Sequence, residues 1–135
     1  MRVLVGILLA SVACAGTPDV KILEHHGRWE SGYGAKFYNV VGRLENTSDH
    51  ALRFVKLRVD ALDGHGKVVA STETYNESAE ALAVPDLKPE ELLASGKVKP
   101  LAAHAEERFR ASFLAEETPA FTDYRVTVVE TPPAK

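Results

Sequence analysis

The chain has 135 residues, 45% of them hydrophobic and 26% charged, with a formal charge of −3 and one cysteine. That length makes a single domain the prior, and that composition is ordinary globular rather than disordered or low-complexity. A mildly acidic balance gives no support to nucleic-acid binding, which needs a basic patch, and one thiol leaves no internal disulfide framework.

In chain order, residues 1–13 (MRVLVGILLASVA) carry one Arg, an apolar run and then small residues, the layout of a secretory signal. The run is too short to cross a bilayer, which takes about 20 apolar residues. At its end stands Cys14. Residues 9–14 (LASVAC) resemble a bacterial lipobox, with Val12 and Ala13 fitting and Ser11 where Leu is usual. The resemblance implies Cys14 as the lipid attachment site and mature N-terminus, with the membrane engaged through that lipid. Two or three acyl chains would hold firmly where one binds only marginally. Ala15 after the cysteine resembles the outer-membrane sorting pattern. Ala13-Cys14-Ala15 also offers an A-x-A site for ordinary signal peptidase, which would release a soluble periplasmic or secreted protein. The expected organisation is a signal and lipobox region at 1–15, a linker at 16–19, a β-sandwich domain at 20–130 and a disordered tail at 131–135.

Residues 20–25 (VKILEH) read as a first strand. Residues 26–34 form a Gly-rich connection whose Trp29 and Tyr33 are expected to fold back over the open end of the core, the alternative being an exposed binding platform. Tyr38, Val40, Gly42 and Leu44 then alternate with polar residues, and Gly42 on the inward parity predicts a close approach or a bend. Asn46-Thr47-Ser48-Asp49 reads as a tight polar turn into a strand over 53–62. There Val55, Leu57, Val59 and Ala61 should face a core, and Lys56, Arg58 and Asp60 should face water. Asp63-Gly64-His65-Gly66 closes a hairpin onto a β-rich strand over 67–75.

The order Val40, Gly42, Leu44, Asn46, followed by the alternating strand and the run Asp63 to Val69, resembles the FxLYD domain family. Its members are immunoglobulin-like modules of secreted or membrane-anchored bacterial and archaeal proteins. The signature pentapeptide falls on Val59-Asp60-Ala61-Leu62-Asp63, where only Asp63 matches. Leu101 and Phe109 stand for the family's later Leu and Phe, while Ala103-His104-Ala105 replaces its Pro-Gly-Glu. The resemblance covers about residues 35–130, with an insertion near 76–100. It implies a fold and an envelope location, and no reaction.

Within that insertion, Pro89 just inside a start, Glu90 and Glu91 in the first turn and Gly96 past the end predict one short helix, anchored by Leu92 and Leu93. The insertion reads as a cap on a sheet edge or as a dedicated contact. Residues 106–114 and 123–130 resume alternation, with Phe109, Ala111, Phe113, Tyr124, Val126 and Val128 inward. The expected fold is all-β: an immunoglobulin-like antiparallel β-sandwich of six or seven strands with a short helical insertion.

Chemistry is sparse. His25 and His26 are adjacent and face opposite sides of a strand, His50 and His65 sit in turns at opposite ends of a long strand, and His104 precedes another strand. No Cys pair or H-x-H spacing marks a metal site, and no G-x-S-x-G or S-x-x-K marks a nucleophile. Glu90-Glu91, Glu106-Glu107 and Glu116-Glu117 are consecutive rather than opposed, as glycosidic chemistry would require. Asp60 with Asp63-Gly64 lacks the acidic spacing and closing Glu of a calcium loop. Asn46-Thr47-Ser48 and Asn76-Glu77-Ser78 fit the N-glycosylation pattern, which has little bearing on a bacterial lipoprotein. The expectation is a non-catalytic, lipid-anchored envelope module without cofactor or metal, presenting loops to a protein or cell-wall partner. The alternative is a periplasmic metal- or small-ligand carrier using His25, His26 or His104 beside the Trp29 and Tyr33 loop.

Overall fold

The computed structural model describes residues 14–15, 19–83 and 88–134. The expected signal run at 1–13, most of the linker and Lys135 lie outside the described residues. Alternating sequence becomes strands β1 (Cys14–Ala15), β2 (Val20–Gly32), β3 (Ala35–Asn46), β4 (Lys56–Leu62), β5 (Val68–Tyr75), β6 (Glu106–Leu114) and β7 (Asp123–Glu130). A 3-10 helix (Glu77–Ala83) and the helix α1 (Pro89–Ala94) make up the insertion, and a 3-10 turn (Ala115–Glu117) follows β6.

One sheet has the order β2-β3-β6 and the other β1-β7-β4-β5. The chain forms the β2-β3 hairpin, crosses to the second sheet for β4-β5, returns to lay β6 on β3, and crosses again to lay β7 on β4. This alternation between sheets is that of immunoglobulin-like sandwiches. All these pairings are antiparallel. Cys14 and Ala15 instead run parallel to β7, opposite Val126 and Thr127.

The core follows from the period of two. Val55, Leu57, Val59 and Ala61 are fully buried, and Val40, Leu44, Phe109, Ala111, Phe113, Val126 and Val128 meet them from the other strands. Gly42 sits where the sheet needs it: a Cβ there would lie 2.4 Å from the Glu24 carbonyl oxygen and 2.6 Å from the Phe109 ring.

Four expectations are corrected. The stretch after His25 is not a Gly-rich connection; β2 continues through Gly32 and turns on Tyr33 and Gly34 alone. A bulge between Ile22 and Glu24 shifts the parity, placing His25, Gly27 and Trp29 on the core side. Gly27 there admits the Tyr38 ring, whose hydroxyl would stand 2.4 Å from a Cβ. Asn46 to Asp49 is not a tight turn between paired strands, because β3 and β4 lie in opposite sheets. Asp60 does not face water but is 2% exposed. Finally, residues 131–134 are not a frayed tail: Pro133 bridges Leu52, Arg53 N–H donates to the Pro132 carbonyl, and Ala134 N–H donates to that of Ala51.

The connection from β3 to β4 is an arch held from within by Asn46. Its Nδ2 donates to the carbonyls of His50 (2.9 Å), Leu101 (3.1 Å) and Ala102 (3.1 Å), and its Oδ1 accepts from Ser48 N–H at 3.0 Å. The fully buried amide thus ties the arch to the 101–102 segment, adding a second donor to carbonyls that also accept from Ser48, Leu52 and Ala105.

A candidate binding groove on the outer sheet face

The β2-β3-β6 sheet turns one face to the core and the other outward, where successive rows hold Glu24, Arg43 and Arg108, then His26, Val41 and Arg110. Against this face stands the 3-10 helix of the insertion. Together they enclose a groove of about 660 Å³, with Glu77 and Glu80 on its wall.

The insertion is fastened at its first residues. Asn76 bridges to Phe109 of β6, and its Nδ2 donates to Glu107 Oε1 at 2.9 Å. Ser78 N–H donates to the same oxygen at 3.0 Å, and Ser78 Oγ donates to Glu107 Oε2. Nearby, Thr74 Oγ1 donates to the Arg110 carbonyl at 2.6 Å, stitching β5 to β6. A second small core then seats α1: Leu92 and Leu93 pack with Ala79, Leu82 and Val98 against Phe54 and Tyr75. The two leucines anchor the helix as expected.

Charges in the groove divide into engaged and unengaged. Arg43 Nε donates to Glu24 Oε1 at 3.0 Å, and its Nη1 donates to Glu106. The hydrogen bond and charge of Arg43 hold the Glu24 carboxyl below the usual carboxylate range. Arg108, Arg110, Glu77 and Glu80 are exposed, and among the described residues none of them makes a side-chain hydrogen bond or ion pair.

The histidines do not converge. His25 faces the core side, its Nδ1 2.6 Å from the Tyr124 hydroxyl, and burial lowers its pKa. His26 lines the groove on the opposite face. His104 stands against Asp49 with Nε2 3.3 Å from Oδ1, while His50 and His65 lie in exposed turns. Among the described residues, no group of three or more His, Cys, Asp or Glu is placed to hold a metal ion. Asp60 is taken by Arg125, at 2.9 Å, and by Ser71, whose Oγ donates at 2.5 Å.

The two aromatics part company. Trp29 packs at 5.2 Å from Tyr38 and 5.6 Å from Phe121, with Lys36 Nζ 5.1 Å above its ring, so it does cover the end of the core. Tyr33 is fully exposed at the hairpin tip with φ of 51°. Both asparagines of the glycosylation patterns are fully buried. Arg108 and Arg110 alternate with the inward Phe109 and Ala111, a pattern that by itself marks an ordinary solvent face. Only their pairing with the insertion makes a groove.

No protein-family model, curated protein or solved structure matches this chain.

Proposed function

We propose that this protein is an exported, non-catalytic module of the cell envelope, anchored through a lipid on Cys14, that binds a protein or cell-wall partner in the groove between the β2-β3-β6 sheet and the insertion. The observation that carries the reading is the fastening of the insertion. Asn76, Ser78 and Glu107 fix a wall beside an outward sheet face, and charged groups of both signs line the groove with no hydrogen bond or ion pair of their own among the described residues, although the charge of Arg110 helps to lower the Glu30 carboxyl. A rigid scaffold holding an irregular segment in place is the usual way a sandwich builds a binding surface. The lipobox-like residues 9–14 and the FxLYD-like pattern over 35–130 support the address. The carrier reading needs two imidazoles to converge, and His25 and His26 face opposite sides of one strand.

The test is made in the native host. Intact mass of the purified protein, beside a Cys14→Ser variant, should give a chain beginning at Cys14 with added acyl mass that the variant loses. An unmodified chain beginning at Gly16 would overturn the anchor. In the same cells, a photo-crosslinking residue at His26, which lines the groove, should give adducts, and one at Val129, exposed on the other sheet, should not. Equal labelling from both positions, or none from His26, would overturn the groove.

A further inference from the structure

The ligand chemistry of this groove can be read from the charges that no hydrogen bond or ion pair takes up, an inference that rests on the groove being the binding surface. Arg108 and Arg110 lie two residues apart on β6, so both side chains leave the same face about 7 Å apart along the strand. Glu77 and Glu80 lie three apart on a 3-10 helix, where i and i+3 eclipse, so both carboxylates leave one side about 6 Å apart. All four line one cavity. Two cations on the floor and two anions on the wall would neutralise each other if they met, yet no ion pair joins them. Arg43, which could compete for a ligand carboxylate, is already held by Glu24 and Glu106. The volume of about 660 Å³ falls within the roughly 300–1,000 Å³ of small-ligand sites.

We infer that the groove takes a short zwitterionic peptide, its carboxylate at Arg108 and Arg110 and its ammonium at Glu77 and Glu80. The arginines suit a carboxylate because a guanidinium fork meets both of its oxygens. The ends of an extended di- or tripeptide stand roughly 7–10 Å apart, so one short peptide can carry both charges on a single extended backbone. A purely anionic ligand would meet the two glutamates, and a purely cationic one the two arginines. Only a ligand carrying both charges satisfies all four.

The experiment is an NMR titration of the full chain, carrying Cys14→Ser, with trialanine whose ends are free. Two control peptides block one end each, by N-acetylation or by C-amidation. Shifts should concentrate at the amides of residues 77–80 and 108–110, and each blocked peptide should bind at least tenfold more weakly. Arg108→Gln with Arg110→Gln should abolish the penalty for amidation while keeping that for acetylation, and Glu77→Gln with Glu80→Gln should do the converse. These side chains are exposed, so the folded spectrum should persist in both variants. Absent shifts, shifts elsewhere, or equal binding of free and blocked peptides would overturn the inference. If position 26 still crosslinks to an envelope partner while the titration is flat, the binding surface stands and its peptide assignment falls.

Discussion

Asn76 and Val55 exchange two hydrogen bonds across the join between the sandwich and its insertion. The Asn76 N–H donates to the Val55 carbonyl at 3.1 Å, and the Val55 N–H donates to Asn76 Oδ1 at 2.8 Å. With Nδ2 committed to Glu107, a fully buried amide is used at both ends. Asn76→Ala should therefore cost about 2–3 kcal/mol, since a buried N–H and a carboxylate both lose partners. Asn76→Asp keeps the Oδ1 acceptor but sets a second carboxylate against Glu107. It should be at least as destabilising at neutral pH and should recover as the pH falls. Urea midpoints at pH 7 and pH 5 check both, and an Asp variant insensitive to pH would refute the account.

Asp60 should matter more than an exposed strand charge does. Burial opposes its ionisation, but hydrogen bonds from Ser71 and Arg125 and the charges of Arg58 and Arg125 outweigh it and hold the pKa below normal. A carboxyl whose folded pKa is depressed stabilises the fold above its unfolded value, about 3.9, and loses that contribution as pH falls through the folded value. Asp60→Ala should cost about 3 kcal/mol at pH 7, the lower end of the cost of breaking a buried pair, because Arg125 keeps some solvent contact. The gap between variant and wild type should narrow below about pH 4. A constant gap down to pH 2 would contradict the linkage.

His25 sets a second pH dependence of the same sign. Burial lowers its pKa, outweighing the opposing charge of Asp123. Below about pH 6.5 the unfolded chain then binds a proton that the folded chain resists, so stability falls as pH drops from there toward the folded value. His25→Gln removes the titration. The variant should show a flatter stability profile between pH 6.5 and 5 than wild type, read by chemical denaturation, and parallel profiles would sink the assignment.

Tyr33 holds a left-handed backbone at the first position of a two-residue hairpin turn, followed by Gly34 at φ of 76°. Such turns favour Asn-Gly, and a bulky side chain there carries about 1 kcal/mol of strain. With its ring fully exposed, Tyr33 has no contact to offset that strain. Tyr33→Asn should stabilise the fold by about 1 kcal/mol. A lower melting temperature in the variant would show that the ring makes contacts in solution.

What the sequence revealed depended on whether the physics was local. Val55 to Ala61 and Phe109 to Phe113 declare their inward faces by alternation alone, and Gly42 declares a close approach that Phe109 and Glu24 supply. The α1 boundaries were legible from Pro89 and Gly96, since caps are also local. Where a distant residue decides, the reading failed. Gly27 looked like a loop because the Tyr38 ring that fills its space is eleven positions away. Asp60 looked solvated because Arg125, its partner, comes from the last strand. The groove joins residues from 24 to 110, and no window of sequence contains it.

The burial of Asn46 and Asn76 has a practical consequence for making this protein. Oligosaccharyltransferases act on chains before they fold, and both side chains belong to acceptor tripeptides. A glycan added at either position would have to occupy space that the finished sandwich fills completely. Production in yeast or animal secretory cells would thus set sugar transfer racing against folding, and every modified molecule would be lost to the native state. A bacterial host removes the race, whereas erasing the acceptor patterns at Ser48 and Ser78 would also cut their hydroxyl bonds to Asn46 and Glu107.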